Sequence, residues 1–172
     1  MLTLGIDPGT ATTGFGLVRQ QGDKLSYVSC GCILTTPKDT SQGRLAKIYQ
    51  EMKQLITAHK PDYVAVERLF FGENTKTAMA VGQARGIVLL AAAEGKVRVA
   101  EYTPLEVKIA LTGYGKAEKR QIQQMVRVML KLNDIPKPDD AADALAVAIC
   151  HLHSHKFKER VMAPRQAGLV GV

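Results

Sequence analysis

Hydrophobic positions along the chain change period twice, and those changes divide it into elements. Residues 2–7, LTLGID, form an apolar run ending on an acid; PGTATT supplies a Gly/Pro/Thr turn, and GFGLVR resumes as a strand. After QGD, the run LSYVSCGCILT reads as a third strand, so the first part of the chain predicts an antiparallel meander. From 41 to 59 the period becomes helical: Leu45, Ile48, Met52, Leu55 and Ile56 share a face, with Ser41 as the expected N-cap and Pro61 as the stop. DYVAVE is the fourth strand, LFFGEN a loop, residues 75–94 a helix, and VRVAEY the fifth strand. TPLE then offers a capping box, with Thr103 at the N-cap, Pro104 first in the helix and Glu106 third. Residues 117–132 turn Ile122, Met125, Val126, Met129 and Leu130 to one side of a helix. Pro136 and Pro138 interrupt the chain before a last helix, expected from 139 to about 155.

The order β-β-β-α-β-α-β-α-α-α predicts an α/β fold: a mixed five-stranded sheet with helices on both faces. With 172 residues, one domain with a proper core is expected over 1–156, followed by a basic tail, 157–172, that has no period and is expected to be mobile. A composition 46% hydrophobic and 23% charged excludes a disordered chain. No apolar run approaches the ~18 residues of a membrane span. The N-terminus lacks a signal peptide's basic and apolar regions, so the expected location is cytoplasmic. Cys30, Cys32 and Cys150 are odd in number, and two of them sit two apart on one strand, so reduced thiols are expected. Lys and Arg number 23 against 16 Asp and Glu, which favours a polyanionic partner, nucleic acid or anionic membrane. The surplus is concentrated between 96 and 131, where eight Lys or Arg face three Glu.

Against that background the acids stand out. Asp7 ends the first strand and Glu67 the fourth, and ligands of open α/β sheets gather outside the carboxyl ends of strands. KPDDAADALAVAI puts Asp140 and Asp143 on one face of the last helix near its N-terminus. The helix dipole favours an acid there by ~0.3–1 kcal/mol, which accounts for Asp139 as a cap, fits Asp143 poorly and says nothing of Asp7 or Glu67. Carboxylates ~5 Å apart repel by roughly 3 kcal/mol at an effective dielectric of ~20, so such a cluster calls for cations. An all-oxygen donor set suits Mg²⁺ or Mn²⁺. Two such ions ~3.5–4 Å apart suit in-line displacement at phosphorus, and the basic flank suits a nucleic-acid backbone. The pattern is that of a nuclease.

GIDPGTATTGFGLV, VAVERLFF and DDAADALAVAI resemble the signature segments of the RuvC family, the bacterial Holliday junction resolvases of the ribonuclease H-like superfamily. GQARGIVL and YTPLEVK…GYGKAEK match as well, and the similarity runs from residue 1 to about 156. The resemblance implies a structure-selective endodeoxyribonuclease that resolves four-way DNA junctions by paired symmetric nicks in recombination and repair. It implies two Mg²⁺ per site, with Mn²⁺ able to substitute. The family's acidic quartet falls on Asp7, Glu67, Asp140 and Asp143, and some relatives carry His at the position of Asp140. A base-stacking Phe falls on Phe70 rather than Phe71, and phosphate contacts fall on Lys108 and Lys119. Lys116 and Arg120 join them as DNA-binding candidates, although a charge run on a helix is commonly a solvated face. Arg120, Gln124, Arg127 and Lys131 also line one stripe.

Ala78, Gly82 and Gly86 recur every four residues on the second helix, which implies close approach, either to the protein's own sheet or to a two-fold partner. The resemblance selects the partner: a homodimer with one site per subunit, acting beside a branch-migration motor on T-containing sites. His151, His153 and His155 alternate on a helix and so point apart, which reads as a solvated helix end rather than a metal site. Three rivals remain open. An actin- or hexokinase-like ATPase shares a D-x-G-T hairpin but needs a second domain. A YqgF-like nuclease shares only the first motif. A junction-binding module without activity would show a replaced acid in the quartet, and none is replaced.

Overall fold

The computed structural model describes the backbone over residues 1–68 and 75–162, and side chains over 1–68 and 78–155. β1 (Leu2–Asp7), β2 (Thr12–Gln21) and β3 (Lys24–Leu34) form the expected meander. α1 (Ser41–His59) leads to β4 (Tyr63–Glu67), and α2 (Thr75–Glu94) leads to β5 (Arg98–Tyr102). α3 (Pro104–Thr112), α4 (Lys119–Met129) and α5 (Asp139–Met162) complete the chain. The strand order is β3-β2-β1-β4-β5, with β4 parallel to β1 and β5 parallel to β4. This is the mixed five-stranded sheet with helices on both faces that the sequence predicts.

Local chemistry explains most boundaries. Thr103 and Glu106 form the capping box foreseen for α3, and Gly113 ends that helix at φ 71°, a left-handed conformation glycine adopts without penalty. α1 is capped by Thr40, whose hydroxyl accepts from the Gly43 N–H, so Ser41 is the first helical residue and not the cap. α5 continues to Met162, beyond its expected end near 155. No Gly or Pro occurs between Asp139 and Pro164, so nothing in the sequence stops it earlier. The segment expected to be a mobile tail therefore begins as helix, and residues 163–172 lie outside the described residues.

Strand alternation sorts the core into two layers. Leu2, Leu4, Ile6, Leu17, Val64 and Val66 face α1 and α2 and pack with Ile48, Met52 and Val88. The opposite face carries Val18, Ala65 and Tyr102, which pack against α5, α3 and α4. Every residue of α5 from Ala141 to Leu152 is buried except Asp143, because this helix is covered by the sheet on one side and by α3 and α4 on the other. That sandwich overturns the solvated reading of His151. Its side chain is 2% exposed, its Nδ1 shares a hydrogen bond of 2.9 Å with the Tyr102 hydroxyl, and its ring packs 4.4 Å from that of Tyr63. His153 is exposed near the Ala110 carbonyl, and His155 is half-buried.

α5 sits on a seam of missing side chains. A Cβ on Gly5 of β1 would lie 2.1 Å from the Ala144 carbonyl oxygen. On β2, a Cβ on Gly14 would lie 2.1 Å from the Asp140 carbonyl oxygen, and one on Gly16 would lie 2.7 Å from the Leu145 nitrogen. The clashing atoms are backbone and cannot rotate away. Gly5→Ala should therefore destabilise the fold by roughly 3 kcal/mol, in the upper range for overpacking. Urea unfolding followed by circular dichroism checks this, and an unchanged midpoint would mean that the helix can lift without cost.

Candidate metal and nucleic-acid site

β1 and β4 are parallel neighbours, with Ile6 beside Val66, so the acids that end them come out side by side. Asp7 lies two residues beyond Gly5 and Glu67 two beyond Ala65, which turns both carboxylates to the α5 face. Asp7 is paired across β2 with Gly14, the residue under the Asp140 backbone. The first turn of α5 is thus brought onto the end of β1, and Asp143 follows one turn along on the same side.

The electrostatics record this convergence. The Asp7 carboxyl is pushed up to about 7, first by burial and then by the charges of Glu67, Asp143 and Asp140. It donates a hydrogen bond to Glu67, whose own pKa is raised by burial and by Asp143. Asp143 is raised by burial as well, while Lys119 draws it back down. Lys119 Nζ stands 2.9 Å from Asp143 and 3.7 Å from Asp139, and pairing with Asp143 raises the lysine's pKa. Asp139 is the first helical residue, not a cap preceding the helix, and its carboxylate takes ion pairs from Lys137 at 3.1 Å and from Lys119.

A cleft of about 210 Å³ opens between β4, α3, α4 and α5, lined by Glu67, Lys108, Lys119 and Asp143 among others. Two candidate cations therefore share one cavity with two of the four acids. Arg120 lies on a neighbouring groove of about 550 Å³ with Tyr114 and Gln124, and Lys116 is exposed on the α3–α4 turn. Phe70 and Phe71 lie outside the described residues.

The donor set fits a hard divalent ion. It is all oxygen, burial and the neighbouring carboxylates raise the Asp7 carboxyl to about 7, and Lys119 pairs with Asp143. Among the described residues no three acids, histidines or cysteines already close around a single point. A cation would have to draw the carboxylates inward against their repulsion. Sequence spacing singled out the four acids as candidates and the family resemblance the two cleft lysines, but neither pointed to the glycine seam. A glycine inside a strand pattern signals close approach of another backbone, and LTLGID and GFG both carried that signal. The Lys119–Asp143 pair joins separate helices and had no local signature.

The family model described as crossover junction endodeoxyribonuclease RuvC matches residues 3–151. The crossover junction endodeoxyribonuclease RuvC of Pelotomaculum thermopropionicum is 50% identical over 161 residues, 94% of this chain and 98% of that protein. Its counterpart in Desulfitobacterium hafniense is 55% identical over 161 residues, again 94% and 98%. The structure of T. thermophilus RuvC in complex with a Holliday junction substrate superposes with a TM-score of 0.88 at 36% identity, covering 92% of this chain and 96% of that one.

The raised Asp7 carboxyl sets the sign of a pH effect. Between pH 3.8 and about 7 the folded protein keeps a proton that the unfolded chain has released. This contribution to metal-free stability is therefore complete at low pH and lost as pH rises through about 7. Thermal melts in chelator from pH 5 to 8 should show stability falling with pH. Asp7→Asn should flatten that slope and gain up to roughly 4 kcal/mol on the wild type at pH 8. A variant less stable than the wild type at pH 8 would mean that the acids are not crowded.

Proposed function

The chain belongs to the RuvC family of crossover junction endodeoxyribonucleases, and from that premise we propose that Asp7, Glu67, Asp140 and Asp143 are its catalytic metal ligands. It is an endonuclease that resolves Holliday junctions in DNA recombination and repair and uses divalent metal. The reading of the site rests on one observation: acids from two strand ends and one helix lie close enough to raise one another's pKa, and two of them, Glu67 and Asp143, line a cleft with Lys108 and Lys119.

When bound, divalent ions, Mg²⁺ with Mn²⁺ as a substitute and two to a site, would polarise the phosphodiester and ease deprotonation of the attacking water. The chain's own residues prepare for this. Asp7, whose pKa is raised to about 7 and which is hydrogen-bonded to Glu67, would hold an ion together with Glu67 once ionised. Asp143 would join them, and Lys119, now paired with it, would then be available to a phosphate. Asp140, at the helix N-terminus, completes the set. Lys108 steadies the strand from the α3 side of the cleft, while Lys116 and Arg120 extend the basic surface along the next groove. Phe70, three residues beyond Glu67 in the sequence, would stack on a base beside the cut.

Two symmetric nicks need two sites. Met79 is 71% exposed and Leu90 49% on the side of α2 where Gly86 has open space above it. The helix thus shows a second copy of the chain an apolar stripe with a close-approach point, and a two-fold dimer would bury it. The expectation that these glycines pack on the protein's own sheet is not met at Gly86. The nuclease domain runs through α5, and no described helix is long and apolar enough to cross a membrane. A cytoplasmic homodimer working beside a branch-migration motor completes the reading.

Incubation with a synthetic four-way junction and Mg²⁺ should give paired nicks, with linear duplex left intact and cleavage abolished by chelation. Asp7→Asn should bind the junction without cutting it. Equal cutting of duplex, or nicking in excess chelator, would overturn the reading. Lys119→Ala should weaken binding to every junction alike and reduce the salt dependence by about one counterion.

A further inference from the structure

Glu67 is held, half out of water, where Asp143 repels it, and the opposite face of the sheet offers what can hold it. Glu101 on β5 pairs with Val66, so its side chain leaves the sheet on the α2 side, one residue from Glu67 and on the other face. There Arg85 of α2 donates from Nη2 to Glu101 Oε1. Arg68, the residue after Glu67, brings Nε to 3.9 Å from Glu101 Oε2, and its backbone N–H donates to the Tyr102 carbonyl at 2.7 Å. Arg85 and Glu101 are only about a quarter exposed, at 25% and 27%, so the charges are partly desolvated and strongly oriented.

We propose that Glu101 is a positioning residue for the metal site: through Arg68 and Arg85 it fixes the end of β4 to helix α2 and so holds the Glu67 carboxylate beside Asp7. This rests on the reading of the acids as a metal site. The clamp is built where it has mechanical effect. Arg85 precedes Gly86, on the helix that offers its open face to a second copy, so the same helix that would meet the partner also secures a catalytic strand. Without the carboxylate, Arg68 and Arg85 repel each other, and the strand end keeps its backbone bonds but loses its lateral anchor.

The test uses the full chain with Glu101→Gln, Arg85→Gln and the double variant. Binding is read as the Mg²⁺-induced rise in melting temperature, cleavage as the single-turnover rate on a four-way junction, and assembly by sedimentation. Each single variant should need about tenfold more Mg²⁺ for half-saturation, as loss of an outer-shell partner generally does, while metal-free junction affinity stays within about twofold. The double variant should be no worse than either single one, because both break one clamp. Unchanged Mg²⁺ half-saturation, or additive losses, would overturn the proposal. If Glu101→Gln does not fold, Arg85→Gln alone decides by the same readings. A wild type that binds Mg²⁺ but nicks no junction would instead sink the nuclease reading and leave the clamp standing.

Discussion

Helix α5 lies directly on sheet backbone, and that contact governs the rest. Gly5 and Gly16 are cross-strand neighbours, and Gly14 sits opposite Asp7, so the sheet presents a bare track where α5 crosses. Alanines at 144 and 148 keep the helix side equally thin. A helix normally stands off a sheet by the thickness of two layers of side chains. Here it has almost none to clear. The acids on its first turns are consequently carried down to the level of the acids that end β1 and β4. A site whose ligand distances tolerate only ~0.2 Å could not be assembled across a normal gap.

The same arrangement works against the metal-free fold. Burial and mutual repulsion raise the pKa of Asp7, Glu67 and Asp143, and the hydrophobic layers on both faces of the sheet must hold them together. A local conflict of this kind, tolerated within an otherwise consistent fold, marks a place kept for chemistry. The strain has a direction. Positive charge in the cleft would relieve it, and would neutralise the carboxylates as it ordered them.

The two faces of the sheet divide the remaining tasks. The α5 side carries the acids and the cleft lysines, Lys108 and Lys119. The α2 side carries the open apolar stripe and, through Arg85 and Glu101, a mechanical link to the strand that ends in Glu67. Because strand side chains alternate, neighbouring residues serve different faces: Glu67 belongs to the cleft, and Arg68 to the clamp beneath it.

Sequence alone determined the order of elements, the boundaries set by Thr103 and Pro104, and the identity of the four acids. Those features are written in periodicity, caps and strand ends, which are local. It also suggested the nuclease chemistry, since carboxylates without histidine or cysteine ligands select hard ions wherever they meet. Tertiary structure decided what depends on residues far apart in the chain. His151 looked solvated by its spacing, yet the packing of α3 and α4 over α5 buries it against Tyr63 and Tyr102. Lys119 stood out as a phosphate contact only by the family resemblance, and its pairing with Asp143 was set by the fold. How closely the carboxylates approach could not be read from their spacing at all, because three glycines on two strands set that distance by having no side chains to hold the helix away.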